Sequence, residues 1–185
     1  RQSELDECRR FVDMEDTRVL YVGGVAGIGK TTLLREVEPY ARERGWQTHW
    51  IDAHLLGDSV FGIERALTEL VETVDDAKTL LFIDNFEVVA HLEDPLRETI
   101  TSRLPDHIVL ALAGRSELGP EWLDSIDTHV VDLGPFDSED SMAFLESRGF
   151  ATENTAELLA KTQGMPIALA IAAESRSRGK QTGEV

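Results

Sequence analysis

The sequence predicts an α/β fold: a five-stranded parallel sheet covered by helices on both faces, followed by a small helical lid subdomain. Three patterns carry this expectation. Short apolar runs alternate with stretches whose apolar residues recur at helical spacing, as right-handed βαβ units require. The first apolar run ends in a glycine-rich turn, Gly23-Gly24-Val25-Ala26-Gly27-Ile28-Gly29, directly before a helical pattern. Beyond Gly134-Pro135 the strand-like runs stop and only helical patterns follow. The implied organisation is a core over residues 1–134, a lid over 135–178 and a flexible tail or linker over 179–185.

Each element has its own signal. Leu5, Cys8, Phe11 and Val12 lie at helical spacing, which predicts a short amphipathic helix before the first strand, Arg18 to Gly23. Leu33, Leu34, Val37, Tyr40 and Ala41 mark the next helix face. Pro39 removes the bond to the Arg35 carbonyl and predicts a kink or early end. Gly45 closes that helix, and Trp46 to Asp52 is strand two. Asp58 or Ser59 can cap a helix whose buried face is Val60, Ile63, Leu67, Leu70, Val71 and Val74. Thr79 to Asp84 is strand three, apolar on both faces as a central parallel strand must be. Asp94-Pro95 opens a further helix as cap and first residue, with Leu96, Ile100 and Leu104 inside. Ile108 to Ala113 and Thr128 to Leu133 are strands four and five. The lid helices are Ser138 to Arg148 stopped by Gly149, Thr152 to Thr162 stopped by Gly164, and Pro166 to about Arg178.

Gly24 to Thr31 fits G-x-x-x-x-G-K-[ST], the phosphate-binding loop of P-loop NTPases. Glycines permit the tight turn that aims successive N–H groups inward, and the following helix adds the positive end of its dipole. Lys30 would reach the β- and γ-phosphates of a nucleoside triphosphate, and the Thr31 hydroxyl would hold Mg²⁺. Asp84 ends an apolar strand, where the metal-binding acid of such a protein belongs, although a strand-end acid also serves as a helix cap. Strands two and three follow the loop strand before Asp84, so another strand is expected between the loop strand and strand three. Strand four fills that gap, and Arg115 would then emerge beside the γ-phosphate; the plainer alternative is a surface arginine. Glu87 would orient an attacking water if Asn85-Phe86-Glu87 forms a turn, with Asn85 as a polar partner, or it is a solvated helix-start glutamate. Asp52 reads as a structural cap, and the five histidines lack metal-ligand spacing. Trp46, Trp50 and Trp122 read as packing residues.

Composition narrows the classes. Asp and Glu total 35 against 18 Lys and Arg, a net charge of -17, which disfavours direct nucleic-acid binding by this fragment. Cys8 is the single cysteine, so no internal disulfide is available and a reducing, cytoplasmic setting is expected. No apolar run approaches the ~20 residues of a membrane span, and the opening Arg1-Gln2-Ser3-Glu4 is no signal peptide. The abrupt termini suggest a piece of a longer polypeptide.

Gly24-Val25-Ala26-Gly27-Ile28-Gly29-Lys30-Thr31-Thr32-Leu33-Leu34 resembles the phosphate loop of the signal-transduction ATPases with numerous domains, the STAND class. That class includes the NB-ARC proteins and the large LuxR-type regulators. The resemblance runs from Arg1 to about Ser175. Arg1-Gln2-Ser3-Glu4-Leu5 looks like the tail of the family's Gly-Arg-Glu motif, which implies that Arg1 touches the nucleotide. Leu80 to Glu87 is similar to the family's metal-acid strand and Leu112-Ala113-Gly114-Arg115 to its sensor strand. Gly164-Met165-Pro166-Ile167-Ala168-Leu169 is similar to its Gly-x-Pro-Leu-Ala-Leu segment, which implies that Pro166 packs on the adenine. Asn85 is a departure, because many relatives carry a second acid there; the resemblance therefore implies binding more directly than hydrolysis. The family's winged-helix, repeat and output domains are not in this sequence.

The expected function is that of an ATP- and Mg²⁺-binding, slowly hydrolysing switch module of a STAND-type signalling or transcription regulator. It would move between ADP-bound and ATP-bound or oligomeric states and act with further domains of the same polypeptide. Two other readings stand beside it: a catalytically dead nucleotide-binding scaffold, which Asn85 suggests, and a small-molecule P-loop kinase, which would need an acceptor pocket.

Overall fold

The computed structural model describes residues 1–14, 16–56, 60–115, 117–149 and 155–181. Five strands form one parallel sheet: β1 (Val19–Gly23), β2 (Gln47–Asp52), β3 (Thr79–Asp84), β4 (Ile108–Gly114) and β5 (Thr128–Asp132). Their order is β2-β3-β4-β1-β5, so β4 lies between the loop strand and the Asp84 strand, as the sequence predicts. The central strands are buried along their whole length, in keeping with a sheet covered on both sides. The helices are α1 (Gln2–Asp13), α2 (Lys30–Glu43), α3 (Val60–Thr73), α4 (Glu93–Arg103), α5 (Pro120–Ser125), α6 (Ser138–Ser147), α7 (Thr155–Thr162) and α8 (Pro166–Gln181).

The chain divides into two compact units, and the division is not one cut in the sequence. The first comprises Gln2–Gly24 and Lys30–Asp132; the second comprises Arg1, Val25–Gly29 and the chain from Leu133. The first is the sheet with α1 to α5. Because strand side chains alternate, Val19, Tyr21, Leu81, Ile83, Ile108, Leu110 and Leu112 share one face of the sheet. There they meet Ile63, Leu67 and Leu70 of α3, Leu96 and Ile100 of α4, and Trp122 of α5. Tyr21, Phe86 and Trp122 pack edge to face within this core, with ring centroids 6.3 and 6.2 Å apart. On the other side Trp50 stacks on Phe82 at 4.5 Å, with the Arg35 guanidinium of α2 over the indole.

The second unit has its own small core. Leu145, Leu158, Leu169 and Ala173 are buried together, flanked by Phe136, Phe144 and Leu159. Asp137 caps α6 by accepting the Asp140 N–H at 2.8 Å. Gly164 ends α7 at φ +71°, and a Cβ there would sit 2.1 Å from the Phe136 carbonyl oxygen. Only glycine satisfies both constraints.

Several boundaries differ from expectation. Helix α2 runs through Pro39 to Glu43 instead of ending early. Pro39 is exposed, so the single carbonyl it orphans lies towards water. Helix α4 begins at Glu93 with Leu92 before it and no side-chain cap, so Asp94 is not the cap. Pro95 falls in the first turn all the same, where its missing N–H costs no helical bond. Helix α5 was not expected, although Pro120 stands at its start as a helix signal. Helix α8 extends to Gln181, past the expected end near Arg178. The proposed caps Asp58 and Ser59, and the expected helix start at Thr152, lie outside the described residues. Among the described residues no helix is long and apolar enough to cross a membrane.

Candidate phosphate-loop site

Strand β1 delivers the chain at Gly23 into the glycine-rich loop. Gly24, Gly27 and Gly29 have φ of 143°, 73° and 105°, conformations that a side chain resists. The Ile28 N–H donates to the Val25 carbonyl at 3.3 Å, closing the turn at the loop tip, and Ile28 itself is buried. Helix α2 then starts at Lys30, so the loop leads straight into a helix N-terminus. Thr32 is exposed on the first turn of that helix.

Within the sheet unit, Lys30 is buried and its Nζ donates to the Gly24 carbonyl at 2.7 Å. Burial pushes its pKa down; the nearby Glu87 carboxylate opposes this, Arg115 adds to it, and Asp84 opposes it more weakly. Lys30 is thus a desolvated cation that would gain from a phosphate anion. The Thr31 hydroxyl donates to Asp84 Oδ2 at 2.8 Å across 53 residues of sequence. Together they present the hydroxyl and carboxylate that P-loop proteins set around Mg²⁺. Among the described residues there is no group of three or more His, Cys, Asp or Glu that could hold a metal unaided.

The chain after β3 turns sharply. Asn85 sits in the left-handed region at φ 58° and ψ 37°, and its N–H donates to Asp84 Oδ1 at 2.9 Å. Its side-chain amide donates to Asp52 Oδ1 at 3.0 Å. A 3₁₀ turn over Phe86–Val88 follows, anchored by the buried Phe86 ring. This is the turn that the Glu87 assignment required. Glu87 Oε1 accepts from Arg115 Nε at 2.6 Å, whereas its Oε2 is buried with no hydrogen-bond partner among the described residues. Arg115, one residue past β4, is itself exposed. Lys30, Thr31, Asp84, Asn85, Glu87 and Arg115 therefore gather beyond the carboxyl ends of β1, β3 and β4.

The remaining candidates belong to the helical unit. One Arg1 guanidinium nitrogen donates to the carbonyls of Ile28, at 3.1 Å, and Gly134, at 2.5 Å, and the group lies 4.8 Å from the Phe136 ring centre. Pro166 is the first residue of α8, and the next N–H, that of Ile167, donates to the Gly27 carbonyl at 3.2 Å. A Cβ on Gly27 would lie 2.6 Å from Ile167 Cγ2.

Three relationships escaped sequence reasoning: the Glu87–Arg115 pair, the Asp52–Asn85 bond, and the seat of Ile167 on the loop tip. Asp52 does act as the expected cap, accepting the His54 N–H at 3.0 Å, but the same oxygen also serves Asn85. The adjacency of β2, β3 and β4 was the available signal, since it places the residues after each strand side by side.

No protein-family model matches this chain, and no curated protein matches it. Among solved structures it is similar to a variant of Thermotoga maritima RuvB, with a TM-score of 0.66 and 17% sequence identity. The similarity covers 94% of this chain and 59% of that one, so this chain spans well under two thirds of its length. Altogether 647 solved chains match, so the likeness identifies the P-loop NTPase-like α/β fold and does not choose among the functions that fold serves.

Proposed function

We propose that this chain binds ATP and ADP with Mg²⁺, hydrolyses ATP slowly, and is the nucleotide switch of a STAND-type signalling or transcription regulator. One observation carries the nucleotide reading: the Thr31 hydroxyl of the G-x-x-x-x-G-K-[ST] loop bonds to the Asp84 carboxylate at 2.8 Å. The bond supports the reading because it joins the hydroxyl of the loop motif to the carboxylate that ends β3.

Lys30 would exchange its bond to the Gly24 carbonyl for phosphate oxygens, and Thr31 with Asp84 would hold the cation. Mg²⁺, when bound, would supply neutralisation of phosphate charge. Glu87 would accept a proton from, or orient, the attacking water, and Arg115 would respond to the γ-phosphate. Gly24, Gly27, Ile28, Gly29 and Thr32 line the loop or follow it, while Arg1 and Pro166 are assigned to the base side by the STAND resemblance. The lid, the flanking domains and a nucleotide-dependent homo-oligomer belong to the same reading, as does the absence of direct nucleic-acid contact by this fragment.

The scaffold reading predicts the same binding without turnover. Glu87 favours turnover, because its buried Oε2, which has no hydrogen-bond partner among the described residues, is an acceptor near Lys30. Calorimetry with ATP, ADP and Mg²⁺ tests the binding reading. Lys30→Ala and Thr31→Ala should each weaken binding severely, and wild-type affinity in the Lys30 variant would overturn it.

A further inference from the structure

Asp52 lies outside the phosphate loop and ends an outer strand of the sheet. Its carboxylate nevertheless reaches the turn that carries Glu87. β2 and β3 run in register with Asp52 opposite Asp84, which brings the residues after both strands side by side. Asp52 Oδ1 accepts two hydrogen bonds, from the His54 N–H and from Asn85 Nδ2, each 3.0 Å long. The first holds Asp52 to its own turn, and the second passes that rigidity to Asn85.

Asn85 is the hinge of the segment. It is a non-glycine residue at φ 58°, a conformation that asparagine tolerates better than most but that still needs outside support. Support comes from two sides: its N–H on Asp84 Oδ1 and its side chain on Asp52. Its carbonyl accepts the Val88 N–H at 2.9 Å, and Phe86 O accepts the Val89 N–H at 3.0 Å, which completes the turn presenting Glu87.

We infer that Asp52 is a positioning residue for the hydrolytic carboxylate. Through Asn85 it holds the Asn85–Val88 turn in the one arrangement that aims Glu87. An acid at position 85 would set two carboxylates against each other at hydrogen-bond distance, so the asparagine is required by Asp52 and is not a lost catalytic group. This rests on the hydrolytic reading of Glu87 above.

The test is a polarity exchange. Asp52→Ala removes both hydrogen bonds to Oδ1, one of them the side-chain support of Asn85, so kcat should fall about threefold to tenfold with KM unchanged. Asn85→Asp alone should fall further, because it adds repulsion to the lost bond. The double variant Asp52→Asn with Asn85→Asp restores the cross-strand bond with donor and acceptor exchanged and conserves local charge, but an amide NH2 turned to residue 85 cannot also accept the His54 N–H, so it should recover part of the activity lost in Asn85→Asp. Hydrogen exchange at the Val88 and Val89 amides, measured without nucleotide, should quicken in both single variants and return towards wild type in the exchange variant. Unchanged exchange in Asp52→Ala, or an exchange variant no better than Asn85→Asp in either readout, would overturn the inference. A wild-type chain that binds nucleotide but never turns over would instead remove the hydrolytic reading of Glu87. The amide measurement would still decide whether Asp52 holds the turn.

Discussion

Glu87 has one oxygen committed and one waiting. Oε1 is bonded to Arg115 Nε at 2.6 Å, and Oε2 is buried without a partner among the described residues, an arrangement that costs free energy unless something fills it. A buried acceptor near Lys30 can order a water, which is the role proposed above for Glu87. Glu87→Gln keeps the shape and removes the proton acceptor, so ATP binding should survive while turnover drops by ~10²–10³. Arg115→Ala should affect a different quantity, the difference between ATP and ADP affinities, because only the γ-phosphate distinguishes those ligands. Binding isotherms beside single-turnover rates separate the two effects. Normal turnover in the Glu87 variant would move the base elsewhere. Both residues were legible as candidates in the sequence. Their pairing was not, because it depends on a turn set by the backbone of Asn85 and the burial of Phe86.

Elements were legible where one physical signal dominated and blurred where two competed. The runs Val19–Gly23, Thr79–Asp84 and Ile108–Gly114 are apolar on both faces, so their burial and parallel pairing could be foreseen. Pro39 and Pro95 blurred the helix boundaries, because a proline fixes neither an end on an exposed face nor the exact first residue of a helix. The contact between α1 and α2 shows how pairing adds to periodicity. Asp13 at the end of α1 accepts from Tyr40 Oη at 2.7 Å and Arg44 Nε at 2.5 Å. The Tyr40 bond chiefly, with Arg44 assisting, holds the Asp13 carboxyl below its ordinary 3.8, and Asp13 in turn raises Tyr40 above 10.0. A depressed carboxylate stabilises the fold above its unfolded pKa and loses that contribution as pH falls through the folded one. A raised phenol contributes below its unfolded pKa and loses it as pH rises through the folded one. The stability deficit of Asp13→Asn should therefore be flat between these limits. It should shrink below about pH 3.8, and it should shrink above about pH 10. Denaturant midpoints of both proteins across that range measure it, and a pH-independent difference would contradict the assignment.

At the scale of the whole molecule, the loop tip Val25–Gly29 belongs to the compact unit of the helices, while Gly24, Lys30 and Thr31 belong to the sheet unit. Gly134-Pro135 marks a boundary in the sequence, but no local signal there shows that a five-residue stretch of the loop packs with elements more than a hundred residues away. Ile167 makes that association measurable. The first N–H groups of a helix have no partner inside it, so the Ile167 amide would exchange quickly but for its bond to the Gly27 carbonyl. A phosphate chain held by the loop restrains Gly27, and should therefore slow exchange at Ile167 and in the turn that follows. Gly27→Ala combines a strained φ of +73° with a Cβ crowding Ile167, so it should weaken nucleotide binding and speed that exchange together. A switch demands more, since a ligand shifts an equilibrium only through differential affinity for its states. ADP and a non-hydrolysable ATP analogue should leave different protection across Ser138 to Arg178 if the proposed switch operates. If both ligands bind and protection there is identical, the switch is gone and a nucleotide-binding fold remains. If Gly27→Ala abolishes binding without touching the Ile167 amide, loop and helix are not coupled.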